Sequence, residues 1–214
     1  MNHIVKIKKK YLILKNNKKD KKVYYKDPEI YTICNFLSVK ECKHIINISK
    51  NNFMRALING NTISNDRTNS SYWIPHNYDD IINNICCKIS KLVNIPLENA
   101  EQLQIIYYDK NQEYKNHFDA VDNDNTEVNN TFLKRGGNRI LTTLCYLNNV
   151  IEGGSTKITK LNIDIAPKIG KLLVFENTYK NTGIKHELSE HCGCPVIQGE
   201  KYAFNLWFRE NKLV

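Results

Sequence analysis

The sequence has no long hydrophobic run. No stretch of about 18 apolar residues occurs in the 214-residue chain, so a membrane-spanning helix is not predicted. The lysine-rich N-terminus also lacks the apolar centre that a secretory signal peptide needs. We therefore expect a soluble, intracellular protein, and this length predicts one domain rather than two. No sequence feature indicates an oligomeric state.

A complete disulfide framework is also excluded, because the chain has seven cysteines and an odd number cannot all pair. We expect most of them to be free thiols. Cys192 and Cys194 flank Gly193 beside His191 and could be half of a soft-metal site, but the sequence has no second cysteine pair at zinc spacing. A packing or redox role for this Cys-Gly-Cys segment is the alternative.

Acidic side chains are scarce in the first 26 residues. This segment holds ten lysines and one acid, Asp20, and accounts for the whole formal net charge of +9. The remainder is balanced, with 21 basic and 21 acidic residues, and does not suggest a phosphate-binding groove. We divide the chain into a lysine-rich arm at residues 1–26 and a domain at residues 27–214. The arm either binds an anionic partner electrostatically or is a solvated leader.

Helical periodicity occurs mainly before Pro96. Ser38 and Glu41 fit a capping box ahead of a first helix, and apolar residues recur at helical spacing in residues 79–93. After Pro96 the period changes to two, as it does in strands. The predicted strands are residues 102–108, 139–147, 171–175 and 201–209.

The last predicted strand has two different faces. Apolar side chains at alternate positions from Tyr202 to Phe208 lie on one face, and a mixed set from Lys201 to Arg209 lies on the other. We expect the apolar face to pack on the helices and the mixed face to line a cavity. Helices that precede the strands, without alternating with them, favour α+β over parallel α/β. The predicted fold is a double-stranded β-helix, or jelly roll, with the N-terminal helices packed on one sheet. Residues 119–138 are predicted to be a long loop.

His117 and Asp119 are the first candidate metal ligands. Side chains two residues apart in a strand point to the same side, so this pair would present two ligands on one face. A lone His-x-Asp occurs often by chance. A distant histidine, His191, can complete the set of two imidazoles and one carboxylate that suits non-haem Fe(II) and leaves positions open for substrate and O2. Lys201 follows on the mixed face, where a buried ammonium requires an anionic partner.

The chain resembles the Fe(II)- and 2-oxoglutarate-dependent prolyl 4-hydroxylases over residues 31–209. The ordered matches are residues 35–38, 67–71, 103–104, 108–119, 136–139, 146–148, 152–156 and 191–201. This resemblance implies that His117, Asp119 and His191 hold Fe(II) and that Lys201 pairs with the distal carboxylate of 2-oxoglutarate. The implied reaction uses O2 to hydroxylate C4 of proline in a peptide or protein, converts 2-oxoglutarate to succinate, and is supported by L-ascorbate.

The resemblance also implies roles for residues around the metal. Tyr108, Tyr146 and Thr142 would line the 2-oxoglutarate pocket, with a plain core position as the alternative for either tyrosine. Six further residues would bind the acceptor peptide, at the mouth of the site or on a mobile loop that closes over it. They are Arg67, Ser70, Ser71, Tyr114, Arg139 and Trp207. Simple packing is the alternative for Trp207, and an ordinary surface charge is the alternative for Arg139.

The chain departs from the family pattern near the expected acceptor site. Ile158 and Thr159 replace an aromatic residue and a proline, Glu176 replaces an aromatic residue, and Arg209 replaces a histidine. These changes concern the acceptor and leave the iron and cosubstrate positions intact. A related oxygenase acting on peptidyl lysine or alkylated nucleic acid is therefore one alternative, and a non-catalytic binding module with the same fold is another. The filled ligand positions argue against the binding module.

Overall fold

The computed structural model describes residues 20–58 and 62–214. These residues contain the helices α1 (Val39–Ser49), α2 (Asp80–Val93) and α3 (Glu127–Leu133), with 3-10 turns at Leu97–Asn99 and Glu187–Ser189. The strands are β1 (Lys21–Lys26), β2 (Glu29–Ile33), β3 (Met54–Arg55), β4 (Ser70–Ile74), β5 (Leu103–Tyr108), β6 (Tyr114–His117), β7 (Arg139–Tyr146), β8 (Glu152–Gly153), β9 (Thr156–Ile158), β10 (Ile163–Ile165), β11 (Leu172–Glu176), β12 (His191–Gly193), β13 (Val196–Gln198) and β14 (Lys201–Arg209). None of the described helices is long and apolar enough to cross a membrane.

Both predicted helices are present, and the first begins at its predicted cap. Ser38 accepts a hydrogen bond from the backbone amide of Glu41, and the Glu41 carboxylate accepts one from the Ser38 amide at 2.7 Å, which completes the capping box. Asp79 caps α2 by accepting from the amide of Ile82 at 2.8 Å. The helix ends at Asn94, whose φ of 56° lies in the left-handed region that terminates helices.

The strands form three sheets, and every pairing between them is antiparallel. The larger sheet has the order β1-β2-β11-β7-β14-β5-β4-β3, the smaller has the order β10-β9-β12-β6, and β13 pairs with β8. The last strand of the chain, β14, therefore lies between β7 and β5. The absence of parallel pairs among the described strands agrees with the predicted α+β class.

Two apolar clusters lie on opposite faces of the larger sheet. One contains Cys42 of α1 and Ile85 of α2 together with Phe204 and Phe208 of β14. The other contains Ala203 of β14 and joins the larger sheet to residues of β9, β10 and β13. Alternate residues of the last strand thus belong to different clusters, and the second face borders the space between the sheets.

Two regions differ from the sequence-based interpretation. The segment assigned to the lysine-rich arm contains β1, since Lys21–Lys26 forms a strand that pairs with β2 in the larger sheet. Residues 1–19 of that arm lie outside the described residues, so the predicted anionic partner of the arm stays a prediction. The segment at residues 119–138 is not entirely a loop, since it contains α3, which Thr126 caps by accepting from the amide of Asn129. A helix of seven residues is too short to give a clear periodic signal.

Candidate active site

The three predicted ligands converge at one end of the smaller sheet. His117 ends β6, His191 begins β12, and the two residues are directly opposite each other in the antiparallel pair. Asp119 lies just beyond the end of β6, so the prediction that it continues the strand is wrong. Its carboxylate nevertheless reaches the histidines: Asp119 Oδ2 is 3.5 Å from His191 Nε2, and Oδ1 is 4.0 Å from His117 Nε2. One ligand atom of each residue lies within 4.8 Å of the other two.

The orientation of both imidazoles fits a metal ion. His117 Nδ1 lies 2.7 Å from the carbonyl oxygen of Lys115, and His191 Nδ1 lies 2.9 Å from that of Ser189. A carbonyl can only accept, so each Nδ1 donates its proton and each Nε2 keeps a free lone pair directed toward Asp119. Burial lowers the pKa of His117 to about 3, which keeps this imidazole neutral and able to coordinate.

The carboxylate of Asp119 is fixed by a hydrogen-bonded chain. Thr142 donates its hydroxyl to Asp119 Oδ2 at 2.6 Å, and Asn177 Nδ2 donates to the Thr142 oxygen at 2.8 Å. Burial alone would raise the pKa of Asp119, but positive charge on the neighbouring side chains and the hydrogen bond from Thr142 lower it to about 2. An ionised carboxylate with two neutral imidazoles is the donor set that non-haem Fe(II) prefers.

A buried positive charge lies in the same cavity. Lys201 begins β14 opposite Tyr108 of β5, and only 1% of its surface is exposed. Its Nζ lies 4.7 Å from the centroid of the Tyr108 ring, and no carboxylate of the described residues pairs with it. Burial therefore lowers the pKa of Lys201 to about 8. Such an ammonium is unfavourable without an anion, so the cavity suits an anionic ligand.

The cavity lies between the eight-stranded and the four-stranded sheet. The three candidate metal ligands and Lys201 all line it. It is lined by Arg67, Ile106, Tyr108, Tyr114, His117, Asp119, Thr142, Leu144, Thr156, Phe175, His191, Gly193, Lys201, Asn205 and Trp207. Gly193 allows the close approach of Tyr108, because a Cβ at this glycine would lie 3.0 Å from the Tyr108 hydroxyl. The sequence-based set is thus largely brought together, and the exceptions are Tyr146, Arg139, Ser70 and Ser71.

Tyr146 supports the cavity wall and does not line the cavity. It is completely buried, and its hydroxyl donates to Thr156 Oγ1 at 2.7 Å and lies 3.2 Å from the carbonyl oxygen of Ile165. Thr156 lines the cavity in its place. The alternative of a core position is therefore the better description of Tyr146, whereas Tyr108 borders the cavity itself.

Two of the predicted acceptor residues stack beside the metal ligands. The guanidinium of Arg67 lies 4.6 Å from the Tyr114 ring, which in turn stacks on the imidazole of His117 at 3.5 Å between ring centroids. Arg67 is held by hydrogen bonds to Asn69 and to Gln104. This arrangement forms one wall of the cavity next to the triad.

Ser70 and Ser71 do not lie on a mobile loop. They begin β4 and pair with Tyr107 and Ile106 of β5, so the interpretation of residues 67–71 as a closing loop is wrong for its last two residues. Neither serine lines the cavity. The backbone of this segment finds its hydrogen-bond partners in β5, which a run of polar residues does not reveal in advance.

Arg139 forms an ion pair with the buried Glu101 and, with 16% of its side chain exposed, is not an ordinary surface charge. Its Nε and Nη2 donate to the two oxygens of Glu101 at 2.6 and 2.7 Å, and its guanidinium lies 3.8 Å from the centroid of the Trp207 ring. Its Nη1 is 4.0 Å from Asp119 Oδ1. Trp207 lines the cavity, and Arg139 packs against its ring. Arg139 thereby connects Trp207 to the metal ligand Asp119.

Glu101 is the residue that the sequence did not reveal. It is 1% exposed and also accepts from Arg209 Nε at 2.8 Å. Burial would raise the pKa of Glu101, but Arg139 and Arg209 together hold it below its usual range. Arg209, which departs from the family pattern, is completely buried and also donates to the carbonyl of Gly137 at 2.7 Å. The sequence gives no signal for this role, because Glu101 follows a turn, as many solvent-exposed acidic residues do, and its partners are distant in the chain.

Fold and donor set together define a non-haem iron oxygenase, and the comparisons with known proteins agree. The sequence model of the 2OG-Fe(II) oxygenase superfamily matches residues 103–209. Within that superfamily, the chain belongs to the prolyl 4-hydroxylase family. It is 36% identical over 185 residues to a putative prolyl 4-hydroxylase of Acanthamoeba polyphaga mimivirus, covering 85% of this chain and 74% of the relative. It is 34% identical over 206 residues to prolyl 4-hydroxylase 2 of Arabidopsis thaliana, covering 84% and 67%.

Solved structures show the same fold. The viral collagen prolyl hydroxylase of Paramecium Bursaria Chlorella virus-1, in complex with 2OG, superposes with a TM-score of 0.68 at 27% identity, over 83% of this chain and 94% of that chain. A Pseudomonas putida prolyl-4-hydroxylase superposes with a TM-score of 0.61 at 16% identity, over 85% and 92%. The predicted jelly-roll core is confirmed.

Proposed function

We propose that this chain is an Fe(II)- and 2-oxoglutarate-dependent dioxygenase that hydroxylates C4 of proline in a peptide or protein. The observation that carries the proposal is the convergence of His117, Asp119 and His191 in one cavity with a buried Lys201 that has no carboxylate partner among the described residues. The choice of proline is supported by the family, whose members are named as prolyl 4-hydroxylases.

The side chains of the site have three separate roles: binding the metal, orienting a metal ligand and neutralising the charge of the cosubstrate. His117, Asp119 and His191 would hold Fe(II), which with 2-oxoglutarate and O2 supplies the oxidising chemistry that no side chain can supply. Thr142 orients the Asp119 carboxylate through its hydroxyl. Lys201 binds the distal carboxylate of 2-oxoglutarate, and burial strengthens this attraction because little water competes. L-ascorbate would restore enzyme that has oxidised its iron without hydroxylating a peptide.

The acceptor peptide would enter between the two walls that carry aromatic rings. Tyr114 and Trp207 both line the cavity, and their large aromatic rings suit contact with the apolar ring of proline. Arg67 contributes donors to the same wall, and Arg139 supports Trp207 from behind. A peptide seated here would cover the cavity and exclude water from the reaction. Contacts of Ser70 and Ser71 with the peptide remain predictions.

We also propose that the catalytic domain begins at β1 and that α1 and α2 cover the outer face of the larger sheet. Support comes from the pairing of β1 with β2 and from the apolar cluster that α1 and α2 share with β14. The helices would then stiffen the sheet that carries Lys201, while the other face borders the cavity.

The proposal is tested by supplying the full chain with Fe(II), 2-oxoglutarate and ascorbate and adding one of three matched peptides. The peptides carry proline, alanine or lysine at the central position. We expect succinate release to be stimulated by the proline peptide alone, and mass spectrometry to place one added oxygen on that proline, at C4 by amino-acid analysis.

Two controls bear on this test. His191→Ala removes a ligand and should reduce succinate release to the background of the metal-free chain. Oxygen found on lysine, or equal stimulation by the alanine peptide, would contradict the proposed acceptor. Absence of succinate release with every peptide would favour a non-catalytic binding module.

A further inference from the structure

Cys192 and Cys194 are the one pair of cysteines in the chain whose sulfur atoms are in contact. All seven cysteines lie within the described residues and are present as free thiols, and the two Sγ atoms of this pair are 3.7 Å apart. Cys42, Cys86 and Cys145 are completely buried core residues, whereas Cys192 and Cys194 are half-buried. The pair is therefore both preassembled and reachable from solvent.

The pair lies outside the metal cluster, although Cys192 follows the ligand His191 in the sequence. Side chains alternate along β12, so His191 and Gly193 face the cavity and Cys192 faces the other side. Cys194 follows the end of β12, and Pro195 follows it. Neither sulfur belongs to the candidate metal cluster, which within the described residues comprises the triad alone. A soft-metal site at this pair would lack the remaining ligands that zinc needs.

We propose that Cys192 and Cys194 form a reversible dithiol–disulfide site that reacts with small disulfides of the glutathione class. One cysteine sulfur attacks a sulfur of the small disulfide, forms a mixed disulfide and expels the first small thiol. The second cysteine then attacks the sulfur of the first, closes the Cys192–Cys194 bond and expels the second small thiol. The protein loses two electrons and two protons, and both small thiols receive them.

Closing this bond changes the strand that carries a metal ligand. The sulfurs must move from 3.7 Å to the bond length of about 2.05 Å, and the intervening residue is Gly193. On its cavity side Gly193 has little room, since a Cβ there would lie 3.0 Å from the Tyr108 hydroxyl. Because Gly193 has little room to move, we expect the backbone to adjust on the other side of Cys192 as well. His191 is the residue next to Cys192 there, so the adjustment would reach this metal ligand. The oxidised site should hold a divalent metal more weakly.

The covalent step has a direct test, because trypsin releases residues 186–201 as a peptide with these two cysteines and no other. The full chain is equilibrated in buffers of increasing oxidised-to-reduced glutathione ratio, alkylated under native conditions and digested. We expect the peptide to change from two alkyl groups to none, with the loss of two hydrogen atoms. The change should reverse on return to reduced glutathione.

Residues 27–40 provide the internal control, since this tryptic peptide carries Cys34 alone. Cys34 is also half-buried and should show at most a glutathione adduct. Cys192→Ser and Cys194→Ser should each leave the remaining cysteine as an adduct. A 186–201 peptide that stays doubly alkylated, carries only glutathione, or is bonded to another cysteine would overturn the proposal.

Coupling to the metal centre is measured with Co(II), whose absorbance reports binding without turnover. We expect the dissociation constant of the disulfide form to be at least roughly 10-fold higher than that of the dithiol form, as for other disturbed ligand supports. The doubly substituted chain, C192S/C194S, should bind Co(II) equally in both buffers. Equal dissociation constants for the two wild-type forms would refute the coupling.

Discussion

Replacement of Lys201 by methionine should weaken the binding of 2-oxoglutarate and, at the same time, stabilise the cosubstrate-free chain. A lysine with a purely structural role would not produce this combination. Methionine keeps the length and apolar stem of the side chain but removes the ammonium, which is buried and has no carboxylate partner among the described residues. We expect the variant to bind 2-oxoglutarate poorly and, without cosubstrate, to be more stable than the wild type. Removal of one partner of a buried charge pair costs about 2–5 kcal/mol, which corresponds to a KM for 2-oxoglutarate that is roughly 30-fold higher or more.

The gain in stability follows from the pKa of Lys201. Burial lowers that pKa from 10.5 to about 8. Each unit corresponds to about 1.4 kcal/mol, so the buried ammonium destabilises the native state by about 3 kcal/mol at pH 7, where both states are protonated. Between pH 8 and 10.5 the unfolded state binds more protons, so the stability of the wild type rises with pH. The advantage of Lys201→Met should therefore be largest at pH 7 and decrease above pH 8.

The assay combines the dependence of succinate release on 2-oxoglutarate with denaturant unfolding of the cosubstrate-free chain at pH 7 and pH 9. Lys168→Met is the matched control, because Lys168 is exposed and lies outside the cavity. It should change neither quantity. A KM for 2-oxoglutarate within threefold of the wild type, or a variant that is less stable at pH 7, would refute the reasoning.

Three further predictions concern the supports of the site and the fold. Thr142→Val removes the donor to Asp119 Oδ2 and should weaken Co(II) binding about 10- to 100-fold in an absorbance titration; unchanged binding would contradict this role. Glu101→Gln loosens the bidentate bond to Arg139 and should raise the KM for the acceptor peptide several-fold while the KM for 2-oxoglutarate stays constant; a parallel rise of both would indicate general damage. Ser38→Ala removes the cap of α1 and should lower the free energy of unfolding by about 1 kcal/mol in urea, with activity per folded molecule unchanged.

The features predicted from sequence were those with a local or periodic signal. The capping box at Ser38 uses two residues three positions apart, and the two faces of β14 follow from alternation alone. The roles of His117, Asp119 and Lys201 were predicted because the residues around them match the pattern of a known family. Even there, the assignment of Asp119 to the strand was wrong, since β6 ends at His117.

The features that could not be predicted depend on distant partners. Glu101 becomes a buried anion only because Arg139 and Arg209 approach it from β7 and β14. Nothing in its neighbourhood along the chain distinguishes it from a solvated acid. Tyr146 likewise has the residue type expected of a pocket wall, and only the hydroxyl of Thr156 shows that its own hydroxyl is already engaged.

The position of β14 between β7 and β5 has a consequence for synthesis on the ribosome. Before residues 201–209 emerge, the larger sheet exists only as two unconnected halves, each ending in an unpaired central edge. Those edges remain open to pairing with other nascent chains until residues 201–209 are inserted. A chain interrupted before Lys201 would thus expose both edges and be prone to aggregation.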